Sequence, residues 1–159
     1  MKRPRPTAPA DAPPGTARLG GEIEWFALAL HVTADTLLPE RVTAILGAPT
    51  ASQTAGVPRR RRDGALTPPA KFGRWTRELK RADTDEWDVA EAIRLLFAGL
   101  PEAAERWSEV RALGRVEVSV GLSLTSSSQE FLLGEEIIHF LSHRRASVWV
   151  DVYGEQHEA

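Results

Sequence analysis

With 159 residues, 42% of them hydrophobic and 26% charged, the chain is long enough for one domain with a sizeable core and ordinary in composition for a globular protein. It has no cysteine, which excludes disulfides, thiolate-bound zinc, iron–sulfur clusters and a thiol nucleophile, and its apolar runs stop short of the roughly 20 residues of a membrane-spanning helix. The net charge of −2 conceals an uneven distribution: residues 57–82 carry nine basic and two acidic side chains, and the chain beyond residue 82 is acidic.

The first twenty residues hold five prolines and no hydrophobic period, which predicts a disordered Pro/Ala-rich tail ahead of a single domain over 21–159. The tail is basic but lacks an apolar stretch, so it does not read as a secretory signal, and the cytoplasm is the expected compartment. Arginine outnumbers lysine 17 to 3, a bias that points to a G+C-rich bacterial genome.

EIEWFALALHV (22–32) alternates as a strand, with Phe26, Leu28, Leu30 and Val32 on one face and Ile23, Trp25, Ala27, Ala29 and His31 on the other. LLPERVTAILGAPT predicts a helix: Pro39 suits its first turn, Leu38, Val42, Ile45 and Leu46 make its apolar stripe, and Gly47 and Pro49 stop it. Residues 51–70 read as a loop, rich in Gly, Pro and arginine, and KFGRWTREL (71–79) as a short strand. A helix capped by Asp83 or Thr84 follows, with Val89, Ile93, Leu96, Phe97 and Leu100 as its stripe; Pro101 separates it from a second helix ending at Gly114. RVEVSVGLSLT (115–125) is a strand with Val116, Val118, Val120, Leu122 and Leu124 on one side. LLGEEIIHFLSHRR (132–145) is a helix with Leu133, Ile137, Phe140 and Leu141 inward. ASVWVDVY closes as a strand, Val148, Val150 and Val152 inward and Trp149, Asp151 and Tyr153 outward.

This order contains a faint duplication of strand, helix and strand. It predicts an α+β fold, a ferredoxin-like or related two-layer sandwich whose mixed or antiparallel sheet carries its helices on one face.

Three stretches also carry a family resemblance. LLPERVTAILGAPT, Phe72-Gly73-Arg74-Trp75, and FLLGEEIIHFLSHRRASVWVDVY with its final Tyr153 follow one another in an order and spacing similar to those of the bacterial domain-of-unknown-function family 4279, over roughly residues 22–154. The resemblance implies a compact α+β fold and brings no activity, cofactor or catalytic residue with it.

The candidate sites follow from these faces. A helix-free sheet face would display Trp25, His31, Trp149, Asp151 and Tyr153, an aromatic grouping of the kind that anchors protein interfaces. That favours a protein partner, unidentified and conceivably a second copy, with a bacterial immunity or toxin-neutralising role as one version. The alternative is nucleic-acid binding by Arg59, Arg60, Arg61, Arg62 and Arg74 with Trp75 as a stacking platform; it ranks lower because the acidic body is expected to neutralise the arginines and Trp75 alternates as a core residue. A third reading is a small-molecule enzyme in which His31, Asp151 and Tyr153 converge. Glu135, His139 and His143 share one helix face, but neither H-E-x-x-H nor a further ligand set accompanies them, so no metal is expected. Ser126–Ser128 lack a nucleophile-elbow pattern and no phosphate loop is present; no catalytic residue, cofactor or membrane contact is expected.

Overall fold

The computed structural model describes residues 18–19, 23–84, 87–124 and 133–153, with side chains described for 27–79, 89–122 and 133–153. The disordered tail expected over 1–20 lies outside these except for Arg18 and Leu19, which form strand β1 and pair with β5 (Trp87–Asp88).

Five strands make the main sheet, in the order β3-β4-β2-β6-β7. β2 (Ile23–Ala34) sits at its centre, antiparallel to β4 (Gly73–Thr84) on one side and to β6 (Arg115–Leu124) on the other. β3 (Ala51–Gln53) extends the β4 side antiparallel, and β7 (Ala146–Tyr153) extends the β6 side in parallel. The sheet is therefore mixed and open, and the fold is α+β. The duplicated halves differ in pairing: β2 and β4 lie antiparallel, β6 and β7 parallel.

Strand parity assigns the faces. Leu28, Leu30, Val32, Trp75, Val116, Val118, Val120 and Leu122 share one face and are buried with the helices. α1 (Pro39–Leu46) adds Val42 and Leu46, α2 (Val89–Phe97) adds Ile93, Leu96 and Phe97, α3 (Ala104–Leu113) adds Trp107 and Val110, and α4 (Glu135–His143) adds Ile137 and Leu141. Burying this apolar surface on a single side of the sheet is the main source of stability. Phe97 links the helices: its ring lies 5.4 Å from both Trp107 and Phe140, and the Arg144 guanidinium stacks 3.6 Å above Phe140.

Three expectations need correction. Leu38 leaves the α1 stripe: it is the extended N-cap residue and 45% exposed, and Leu37 is buried instead. Three residues inside the expected 51–70 loop form β3, held by β4 and by Thr50, whose hydroxyl donates to the Thr76 carbonyl and accepts the Glu78 N–H. β4 runs to Thr84, five residues beyond its expected end, because its pairing with β2 continues to Ile23↔Thr84; the helix accordingly starts at Val89 and not at a cap on Asp83 or Thr84.

Two contacts fix the start of β4. A Cβ on Gly73 would lie 2.8 Å from the Leu37 carbonyl carbon and Cβ, so only glycine lets the two backbones approach. Two residues on, Trp75 is fully buried and its indole N–H donates to the Gly47 carbonyl at the end of α1.

Candidate functional site

The face opposite the helices is built from the other strand parity. Among the described residues no helix covers it. Its registers run across the sheet in rows: Ser147, Glu117, His31 and Thr76; then Trp149, Ser119, Ala29 and Glu78; then Asp151, Gly121, Ala27 and Lys80; then Tyr153, Ser123, Trp25 and Ala82. Ala27, Ala29, Ser119 and Gly121 form a low floor. Trp149 and Tyr153 stand beside it on the outermost strand, 62% and 52% exposed. The Trp149 indole N–H donates to Asp151 Oδ1 at 2.9 Å, which orients both side chains on the same face.

His31 closes one end of the floor. Its Nδ1 lies 3.0 Å from Thr76 Oγ1 and its Nε2 3.0 Å from Ser119 Oγ. Either neutral tautomer is satisfied, since each hydroxyl can donate or accept. Burial first, and then the Arg74 guanidinium, hold the imidazole below the ordinary histidine value of 6.5, against an opposing pull from Glu117 and Glu78. Nδ1 meets a threonine hydroxyl at the position where a catalytic triad places a carboxylate.

The five residues expected on this face divide. Trp149 and Asp151 touch, and Tyr153 follows two residues on along β7. His31 is two strands and four residues away from Asp151, about 16 Å by strand geometry, so His31, Asp151 and Tyr153 do not converge on a single small-molecule site. Trp25 pairs through its backbone in the Tyr153 row, and its side chain lies outside the described ones.

The basic segment becomes an arm. Residues 54–72 fold back as a hairpin in which Gly56 bonds Ala70, Arg59 bonds Thr67 and Arg61 bonds Ala65. The turn is set by the Asp63 carboxylate accepting the Ala65 N–H, with Gly64 at φ 84°. Arg59, Arg60, Arg61 and Arg62 are all exposed, and among the described residues none forms an ion pair. Arg74 lies apart from them, over the Phe72 ring at 5.0 Å. Burial of Trp75 removes it as a stacking platform for bases.

On α4, His139 lies 3.4 Å from Glu135 while His143 turns to the Glu102 carbonyl, and no cluster able to hold a metal occurs among the described residues. Ser126–Ser128 lie outside the described residues. An open groove of about 440 Å³ between α1 and α3, lined by Arg41, Ala44, Ile45, Glu109, Ala112 and Leu113, had no sequence signal because its two walls come from separate helices. No helix among the described residues is long and apolar enough to cross a membrane.

Against known proteins, the family model described as Domain of unknown function (DUF4279) matches residues 23–155, and the chain belongs to that family. No curated protein and no solved structure matches.

Proposed function

We propose that this chain is a non-enzymatic protein-interaction domain that binds through the helix-free sheet face. The observation that carries this reading is the exposed Trp149–Asp151–Tyr153 edge beside a floor of small residues. Large exposed aromatic side chains next to a low surface present the kind of area that anchors protein interfaces. His31, held between two hydroxyls, marks the far end of the contact surface. A bacterial, cytoplasmic setting and a toxin-neutralising role are the version we favour. This rests on analogy with other small acidic α+β domains, and a toxin reading frame beside the gene would support it.

Affinity capture from native lysate, with nuclease treatment, tests the reading. A protein retained by the wild type should be lost with Trp149→Ala/Tyr153→Ala and kept when Arg59–Arg62 are replaced by serine. Retention that vanishes on nuclease treatment or with the serine variant would transfer the function to the arm and to a nucleic-acid partner.

A further inference from the structure

β7 ends the sheet, and the outer side of its backbone has no paired strand among the described residues. Natural edge strands are kept from pairing by shortness, proline, lysine, bulges or cover. β7 is eight residues long, has no proline or lysine, pairs with β6 without irregularity, and carries Asp151 as its sole charge.

Apolar surface also gathers around this edge on both faces of the sheet. On the open face are Trp149 and Tyr153. On the helix face Val152 is 56% exposed, and Ile138 of α4 is 55% exposed. The helix geometry places Ile138. Ile137 points down to the core, and Glu136, one residue earlier, turns to α2 and bonds Arg94 at 3.0 Å. At about 100° per residue, Ile138 therefore turns to the side away from α2, over the free edge of β7. An occupant that comes alongside all four side chains must extend the sheet and border both faces.

We propose that the occupant is a second copy of the chain, pairing antiparallel through β7 about a two-fold axis at Val150 to give one continuous ten-stranded sheet. The strand is self-complementary in that register. Val148 meets Val152 of the other copy, and Ser147 meets Tyr153. Trp149 meets Asp151, so the two carboxylates are held apart and each faces an indole. Centring on Asp151 would oppose the two carboxylates directly. The segments that flank the domain here are poor substitutes: residues 1–17 contain five prolines, which cannot donate to a ladder, and GEQHEA (154–159) has no β-branched residue, Phe, Tyr or Trp. This inference deepens the proposed function, since the pairing would join two aromatic edges into one patch while leaving both open faces free.

Sedimentation velocity on the full chain reads the outcome. The wild type should run as a dimer of twice 17.5 kDa at micromolar concentration. Val152→Lys, on the helix side, should weaken association while leaving the open face intact. Trp149→Asp should weaken it by roughly tenfold or more by setting like charges opposite each other, and Trp149→Asp/Asp151→Lys should restore it. Circular dichroism checks that each variant is folded, and Trp149→Asp, at an exposed site, keeps the test valid if Val152→Lys is not. A wild type that stays monomeric up to about 100 μM, or a dimer indifferent to both single variants, overturns the inference. Failure of restoration overturns the Val150-centred register. A monomeric wild type that still captures a protein through Trp149 and Tyr153 sinks the pairing alone. A dimer whose capture is indifferent to those residues sinks the proposed function alone.

Discussion

The two edges of the sheet are finished in opposite ways. The β3 edge is three residues long, and the chain leaves it directly into the arm of residues 54–72, with four exposed arginines in a row. A strand adding to β3 itself meets three residues of backbone and a concentrated positive charge nearby. The β7 edge offers eight residues, one carboxylate and a rim of exposed apolar side chains. On this comparison we propose that the arm guards the β3 edge, whereas the aromatic residues of β7 belong to the surface proposed above for contact.

The largest expected effects lie under the guarded edge. Trp75→Ala should lower the unfolding free energy by about 3–5 kcal/mol in a urea titration, as for other buried aromatic truncations. Gly73→Val should leave little folded protein, because its side chain would occupy the place of the Leu37 backbone. Near-neutral results at both positions would mean that the β3–β4 edge is not anchored through α1, and the contrast between the edges would weaken.

A smaller effect is expected at the centre, between the two edges. The His31 pKa is lowered in the folded state, so the unfolded chain binds the extra proton more readily. Stability should hold above the unfolded value of about 6.5 and fall as pH drops below it towards the folded value. His31→Gln should flatten that part of the denaturant-midpoint profile, and His139→Gln serves as an exposed control. An unchanged slope in His31→Gln would show that its hydroxyl cradle is not what makes the region pH-sensitive.

The smallest effect concerns the arm. Replacing Arg59–Arg62 with serine should change stability by no more than about 0.5 kcal/mol, because the side chains are exposed and lack ion pairs. Near physiological salt the wild type should not bind DNA or RNA measurably. Binding that weakens steeply with salt and disappears in the serine variant would make the arm a docking element in its own right. If the serine variant instead begins to self-associate through β3, the edge-guard role is sharpened.

The period-two runs in β2 and β6 and the α2 stripe were legible in the sequence because each strand's or helix's own residues decide its buried face; the alternation of β7 fails at Val152, expected inward and 56% exposed at the rim of the sheet. The Ala51–Gln53 strand and the last five residues of β4 were not. Ala-Ser-Gln and Lys-Arg-Ala-Asp-Thr have no strand pattern of their own, and their conformation is imposed by the neighbouring ladders. Leu38 was misplaced by a single residue because capping, not periodicity, decides a helix's first turn. At the candidate site, the alternation of Trp149, Asp151 and Tyr153 was readable. The overhang of Ile138 and the edge position of β7 were not, since both depend on strand order, and parallel β6–β7 pairing has no local signature.

The central place of β2 has a kinetic consequence. It is made before the other strands of the main sheet, yet one of its partners lies far downstream: Ile23 pairs with Leu124, about a hundred residues later. One side of β2 can zip to β4 early, while the other waits until β6 has been made, and the α4–β7 unit is added last. Backbone amides should therefore exchange with solvent most slowly along β2 and progressively faster towards the outer strands. The strand that we propose joins two copies is made after the other strands of the sheet, so self-association through it can begin only when the rest of the sheet is ready to receive it.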